Sequence, residues 1–252
     1  MLSPRQAIVS ILTPLLAVVG IIATVPQPAA GAIATYRLSY GSLPNGTKPV
    51  LRWNGCQTAI TYKVNLAAVP SSLRTTILSE TKGSVARISK ATGITFSYKG
   101  STTEVPRVGS LPKQTAEIVI AYTTPDKTTY NITGSILGEG GFSYAWASVT
   151  SGGKTTYRIA IQRGFVVIDT PQMLRMTVGG YGAGSRRTNL LLHELGHAMG
   201  LQHVTDTRQQ MYPTLRSTSP NGLAAGDLAG LARVGRSAGC LSTAYLPLKD
   251  LS

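Results

Sequence analysis

The sequence predicts an α+β fold, in which short strands and two long helices enclose one core. Five segments are short, rich in β-branched and aromatic residues, and bounded by turn residues, as strands are. They are residues 59–64, 94–98, 117–122, 142–149 and 156–169, the last with a bulge or a division at Gly164. We expect one domain over residues 51–252, preceded by a Gly-, Pro-, Ser- and Asn-rich linker at 33–50.

Two further segments have the apolar spacing of amphipathic helices. The first follows Pro70 and runs to residue 91, with these apolar residues on one side: Leu73, Ile77, Val85 and Ile88. The second follows the glycine-rich residues 179–184 and has Leu191, Leu195 and Ala198 on its apolar side. A shorter helix is indicated over residues 223–234.

The first 32 residues have the composition of a signal peptide. Arg5 gives a positive start, residues 7–25 are apolar and nearly uncharged, and Ala30-Gly31-Ala32 offers a small-x-small cleavage site. The apolar stretch is long for a signal peptide, so the alternative is an uncleaved membrane anchor over residues 7–25. Either interpretation places the folded domain outside the cytosol.

The chain is strongly basic, since 24 Lys and Arg against 10 Asp and Glu give a formal net charge of +14. The basic residues are scattered and form no basic helix or aromatic-studded basic strand, so we predict no nucleic-acid partner. Two interpretations remain for the charge. One is a soluble cationic exported protein, and the other is a protein attracted to an anionic cell surface.

The two cysteines, Cys56 and Cys240, lie near opposite ends of the predicted domain. An exported protein meets an oxidising environment, so we predict a disulfide between them. Two free, buried thiols are the alternative.

The most specific pattern in the chain is H-E-x-x-H-x-x-G-x-x-H, which residues 193–203 match at every defined position. On a helix, His193 and His197 lie one turn apart on the same face, so both imidazoles can bind one metal ion. Gly200 can adopt the left-handed conformation that ends a helix and turns the chain. This turn allows His203 to return as a third ligand.

Glu194 lies beside the ion in this arrangement, where it can act as a general base. The protein has three histidines in all, and random placement would give them these two spacings about once in thirty thousand. We therefore predict a zinc site with a hydrolytic role and with water in the fourth position.

Two further stretches accompany the motif. They are Met211-Tyr212-Pro213, eight residues beyond His203, and Arg52-Trp53 followed by Ile60-Thr61-Tyr62-Lys63-Val64. With these residues the sequence resembles the metzincin clan of zinc metallopeptidases, and most closely the matrixin catalytic domain, over most of residues 51–236. The resemblance implies a metzincin or zincin-like domain, with a twisted mixed β-sheet packed with a long helix and an active-site helix. It also implies that a turn containing Met211 lies beneath the zinc ligands.

The chain departs from the matrixin pattern at two positions near the metal sites. Val204 follows the third histidine, where matrixins usually carry serine, and Tyr144 stands about where they have a histidine of a second, structural zinc. We expect one catalytic zinc and no second histidine-bound zinc, and we assign no calcium site.

Substrates of metzincins lie as an extra strand along an exposed sheet edge above the zinc. The resemblance indicates residues 140–146 as this edge, with Ser143, Tyr144 and Ala145 as candidate substrate contacts. An ordinary paired strand is the alternative.

These features together predict a secreted zinc endopeptidase that hydrolyses a protein or peptide substrate, with a zinc-activated water and Glu194 as general base. Two alternatives from other classes remain open. One is a zinc amidase that acts on cell-wall material or another non-protein polymer. The other is a catalytically silent binding module on a protease fold.

Overall fold

The computed structural model describes residues 35–176, 180–244 and 246. The strands are β1 (Arg37–Leu38), β2 (Ile60–Asn65), β3 (Phe96–Ser101), β4 (Ile118–Thr123), β5 (Gly138–Ser151), β6 (Lys154–Asp169) and β7 (Leu201–Gln202). The helices are α1 (Ser71–Thr92), α2 (Thr170–Met173), α3 (Arg187–Ala198) and α4 (Ala225–Val234), with 3₁₀ turns at Leu111–Lys113, Pro125–Lys127 and Arg236–Ala238. The α+β prediction is confirmed.

The predicted signal peptide at residues 1–32, with its alternative of an anchor over residues 7–25, lies outside the described residues. Within the described ranges, no helix is both long enough and apolar enough to cross a membrane.

Five strands form a mixed sheet in the order β3-β2-β4-β6-β5. The first four are parallel to one another, and β5 pairs antiparallel with β6 at one edge. The central strand β4 is buried at every residue, because apolar side chains cover it on both faces. The larger core lies on the face that carries α1 and α3.

The β5–β6 hairpin turns at Gly152 and Gly153, whose φ angles of 56° and 75° suit the tight turn that joins Ser151 to Lys154. The pairing register shifts where Ser143 faces Arg163 and Tyr144 faces Ile161, so the extra residue of the bulge is Gln162. The sequence predicted the irregularity at Gly164, but that glycine stays paired with Phe142 and the bulge lies two residues earlier.

Helix α1 buries the predicted apolar side at Ile77, Val85 and Ile88. It is tied to the start of α3 by an ion pair between Glu80 and Arg187, whose side chains approach to 2.8 Å while only 11% and 6% exposed. Two parallel hydrogen bonds join the guanidinium to the carboxylate, so neither buried charge lacks a partner. The long helix therefore fixes where α3 begins.

The described part of the predicted linker is hydrogen-bonded to the domain. Strand β1 pairs antiparallel with β7, and the Ser39 amide donates to the Gly200 carbonyl at 2.9 Å. An isolated bridge joins Tyr40 to Val50. Residues 35–50 thus form a strap that crosses the end of α3.

The structure joins Cys56 and Cys240 in a disulfide with a Cα–Cα distance of 5.0 Å and a sequence separation of 184 residues. Its surroundings are also hydrogen-bonded, because the Asn54 carboxamide accepts from the amides of Cys56 and Leu241. The bond therefore ties the loop before β2 to the segment behind α4.

Replacing both Cys56 and Cys240 by serine should lower the free energy of unfolding by several kcal/mol. The chain-entropy contribution of a loop this long is about 5 kcal/mol at most. Denaturant titration of the variant and of the oxidised wild type measures the difference. Alkylation of both thiols in unreduced, exported protein would contradict the pairing.

Candidate metal centre and cleft

Helix α3 carries the first two histidines of the motif and is buried at nearly every position. Its first turn is anchored by Asn189, whose fully buried carboxamide donates to the carbonyls of Gly182, Gly184 and Pro220. The loop before the helix and the loop before α4 are thereby fixed to the same side chain.

The turn after α3 brings the third histidine back to the first two. Gly200 has a φ of 103°, and a Cβ at this position would lie 2.8 Å from the Leu51 carbonyl oxygen. Only glycine meets both conditions without strain. The short strand β7 follows, and His203 comes directly after it.

The Nε2 atoms of the three histidines converge on one point. His203 Nε2 lies 3.0 Å from the Nε2 atoms of both His193 and His197. Nδ1 of His193 lies 2.8 Å from the Gln210 carbonyl, and Nδ1 of His197 lies 2.9 Å from the Leu201 carbonyl. A carbonyl only accepts, so Nδ1 carries the proton in His193 and His197, and Nε2 of both presents a lone pair.

Lone pairs that face one another at this distance repel unless a cation lies between them. Three neutral imidazoles are a preferred ligand set for zinc, and the distances suit an ion about 2 Å from each nitrogen. The residues present therefore fit a zinc ion.

Burial keeps these imidazoles neutral. It lowers the pKa of His193 to about 3 and that of His197 to about 4, and the neighbouring imidazoles add to both shifts. Burial and the nearby Arg37 also lower the pKa of the more exposed His203. Protons therefore do not compete with a metal for the lone pairs near neutral pH.

Glu194 is buried between α3 and β5. Burial raises the pKa of its carboxyl to about 8, a hydrogen bond from the Gly140 backbone opposes this shift, and Glu139 adds to it. A Cβ on Gly140 would collide with the Glu194 carbonyl, so the absence of a side chain lets β5 approach the helix this closely.

The turn predicted to lie beneath the ligands does pack against α3. The Met211 side chain fills the space where a Cβ on Gly196 would be. The Met211 carbonyl also accepts from the Val204 amide at 3.0 Å, next to the third histidine.

Asp227 of α4 holds the turn that contains Met211. Its carboxylate accepts from the amides of Gln210, Met211 and Ala224 at 2.7, 3.1 and 2.8 Å. The Gln210 side chain donates to the Asn189 carbonyl at 2.9 Å, while its own carbonyl orients His193. Sequence patterns did not assign a site role to Asp227, Gln210 or Asn189. Asn189 and Asp227 are polar residues in otherwise apolar helices, whereas Gln210 lies in the turn and carries no such mark.

An open cleft of about 830 Å³ lies over the three histidines and Glu194. Residues 138–142 of β5 form one wall, and residues 213–215 line the other. The candidate contacts Ser143, Tyr144 and Ala145 do not line this cleft but continue β5 beyond it. The edge beside the histidines thus begins two residues before the predicted edge of residues 140–146 and overlaps it at residues 140–142.

The family model described as matrixin matches residues 52–234, which include the motif, the Met211 turn and α4. No curated protein matches the chain.

Asp227→Asn should lower the free energy of unfolding by about 1–3 kcal/mol, because an amide nitrogen would then face backbone N–H groups that need an acceptor. Loss of a metal ion to a chelator should also become faster, since Gln210 orients His193. Thermal unfolding and chelator kinetics measure the two effects. Asp126→Asn, at an exposed carboxyl, is the matched control, and equal kinetics in both variants would contradict the support role.

Proposed function

The chain belongs to the matrixin family of metallopeptidases, and from this premise we propose that it is an exported, zinc-dependent endopeptidase. The observation that carries the proposal is the convergence of three Nε2 atoms beside a buried carboxyl in an open cleft. In this proposal His193, His197 and His203 bind one zinc ion, and Glu194 is the catalytic base.

A zinc ion held by His193, His197 and His203 would supply Lewis acidity, which would polarise a peptide carbonyl and lower the pKa of the attacking water. Glu194 accepts a proton from the attacking water and then gives it to the amine nitrogen as the C–N bond breaks. Burial raises the pKa of the Glu194 carboxyl when no metal is bound, whereas a bound zinc cation would favour the carboxylate that the first half of this transfer needs. The Gly140 backbone holds the carboxylate in place for the first half.

In the part of the chain that the structure describes, β5 is an edge strand, and this edge favours a polypeptide substrate. Residues 138–142 present backbone groups along the cleft, and an extended peptide can pair with them as an added strand. A non-protein polymer has no regular series of amides to match this edge, so the amidase alternative gains no support. The buried, hydrogen-bonded Glu194 weighs against a silent binding module.

Export is supported by the bond between Cys56 and Cys240, since structural disulfides persist in oxidising compartments. Cleavage near residue 32 gives a secreted enzyme, and retention of residues 7–25 would give an anchored one with the same domain outside. Secretion is the form we propose.

The surface charge supports attraction to an anionic cell surface. Among the described residues, Asp126 is the one exposed carboxyl, whereas the other acidic groups are at least half-buried. Exposed basic residues occur on well-separated elements, for example Lys82 on α1, Lys154 at the β5–β6 turn and Arg233 on α4. The positive charge at the surface of the described residues is therefore only weakly opposed by exposed carboxylates.

Glu194→Gln should separate metal binding from catalysis. The variant keeps three imidazoles and the side-chain size, so zinc content should stay at one ion per chain with unchanged thermal stability. Peptide cleavage should fall by about 10² or more, because the proton acceptor is gone. Metal analysis and a peptide-library cleavage assay with a chelator control measure both.

His203→Ala is the matched comparison, since it removes a ligand and should lower zinc retention instead. Wild-type cleavage by zinc-loaded Glu194→Gln protein would disprove the catalytic assignment. Degradation of cell-wall material without peptide cleavage would favour the amidase.

The charge makes a separate prediction. Sedimentation with vesicles containing anionic lipid should capture the protein at 0.01 M salt and release most of it at 0.15 M. The screening length falls from about 30 Å to about 8 Å over this range. Neutral vesicles are the control, and equal capture by both kinds would contradict an electrostatic attraction.

A further inference from the structure

The cleft contains a second carboxyl, that of Glu139, which the proposed mechanism does not use. Among the described residues that line the cleft, none is Lys or Arg, and the two carboxyls are those of Glu139 and Glu194. In the proposed function Glu194 accepts and returns the proton of the attacking water. Glu139 therefore stands in the cleft as an acidic group without a part in the chemistry.

Glu139 lies in β5 between two glycines that face α3. A Cβ on either Gly138 or Gly140 would meet Glu194, and successive residues of a strand point to opposite faces. The Glu139 side chain therefore points to the other face of the sheet. Its β6 partner Val167 belongs to the smaller core on that face. The two carboxyls thus lie on opposite sides of the β5 edge.

The loop before β5 extends the cleft to the side of the sheet that carries Glu139. Asn131 and residues 135–137 of this loop also line the cleft. The Asn131 amide donates to Oε2 of Glu139 at 3.1 Å, which fixes the carboxylate beside the loop. In the part of the chain that the structure describes, no second donor contacts Glu139, so Oε1 remains available to a ligand.

The charge of Glu139 has no cation beside it. Glu80 and Asp206 form ion pairs with arginines, whereas Glu139 forms none with any described residue. The side chain is half-buried, and burial raises the pKa of its carboxyl while the bond from Asn131 opposes this shift. A desolvated carboxylate without a cation is unfavourable, and a positive group placed next to it relieves that cost. The position therefore favours a positively charged ligand.

The surroundings of Glu139 suit an organic cation better than a metal ion. Calcium takes six to eight oxygen ligands. Here there is one carboxylate, and the Asn131 carboxamide oxygen already accepts from the Thr133 hydroxyl at 2.8 Å. Ile136 lines the same end of the cleft and is 39% exposed. A lysine or arginine side chain combines an apolar stem, which can pack on Ile136, with a cationic head for the carboxylate.

We propose that Glu139 is a specificity-determining residue, which selects polypeptide substrates with a lysine or arginine side chain close to the scissile bond. This proposal rests on the proposed function and names its substrate class. The strongly basic chain disfavours cationic ligands at most of its surface. The cleft is a local exception, because its lining has two carboxyls and no Lys or Arg among the described residues.

The test compares N-acetylated peptides that share one cleavage sequence and carry either lysine or norleucine at one position near the scissile bond. Norleucine keeps the apolar stem and lacks the ammonium group. Each flanking position is tested in turn. At one of them, wild-type kcat/KM should be about tenfold higher for the lysine peptide, mainly through KM, as expected for a charge-assisted hydrogen bond.

Glu139→Gln should bring the lysine-to-norleucine ratio close to one, because the amide keeps the size of the side chain and loses the charge. Asp126→Asn, at an exposed carboxyl outside the cleft lining, is the matched control and should keep the wild-type ratio. Glu139→Lys should reverse the preference, so that a glutamate peptide is cleaved faster than its glutamine counterpart. Thermal unfolding of each variant shows whether it is folded.

The ratio separates selection of the substrate from an effect on the catalytic base. Glu139 adds to the raised pKa of Glu194, so its replacement can also change the rate through that carboxyl. Such an effect would change both peptides by the same factor and leave the ratio as it was. A wild-type ratio of one at every position, or a ratio that survives Glu139→Gln, would overturn the proposal. So would a preference that appears only when the peptide has a free N-terminal amine.

The two proposals can fail separately. If zinc-loaded protein cleaves no peptide, the proposed function fails. Fluorescence anisotropy with the Glu194→Gln variant then still compares binding of the lysine and norleucine peptides. Equal affinity at every position would overturn the role of Glu139. Tighter binding of the lysine peptide, lost when Glu139→Gln is added, would support it.

Discussion

The convergence of three imidazole nitrogens, with Nε2 of His203 3.0 Å from Nε2 of both His193 and His197, is the constraint on which the rest of the structure depends. Such an arrangement is unfavourable until a cation enters, so the fold has to hold it in place beforehand. Two backbone carbonyls orient the histidines of α3, and burial keeps their rings neutral. The free energy of folding therefore holds the three histidines in an arrangement that becomes favourable only when a metal ion binds.

The support reaches the site from opposite ends of the domain. On one side Asp227 of α4 fixes the Met211 turn, which in turn orients His193. On the other side the strap of residues 35–50 pairs with β7 immediately before His203, and the Gln202 side chain donates to the Ser39 hydroxyl at 2.6 Å. The third histidine therefore depends on residues that lie early in the described chain. Neither support touches the ion-binding atoms directly.

The cluster of three histidines and the main elements could be predicted from sequence because their geometry is local. The helical repeat brings His193 and His197 together, and the glycine at position 200 allows the return of His203. The supporting groups could not be predicted in this way, because their hydrogen bonds join residues far apart in sequence. Asp227 and Gln210 are 17 residues apart, and Asn189 and Pro220 are 31 residues apart. The position of the cleft along β5 also depends on how the strand crosses α3. A strand pattern identifies an edge but not the point at which a helix passes beneath it.

The close approach at Gly140 and Gly196 has a consequence for how this enzyme tolerates change. Neither residue offers a functional group, yet a single methyl at Gly140 would collide with the helix backbone and one at Gly196 with Met211. Random mutagenesis should therefore find inactive variants at positions with no side chain, alongside those at the histidines. The positions that tolerate no substitution would follow the contact surface between β5, α3 and the Met211 turn. They would therefore include many residues outside the candidate site.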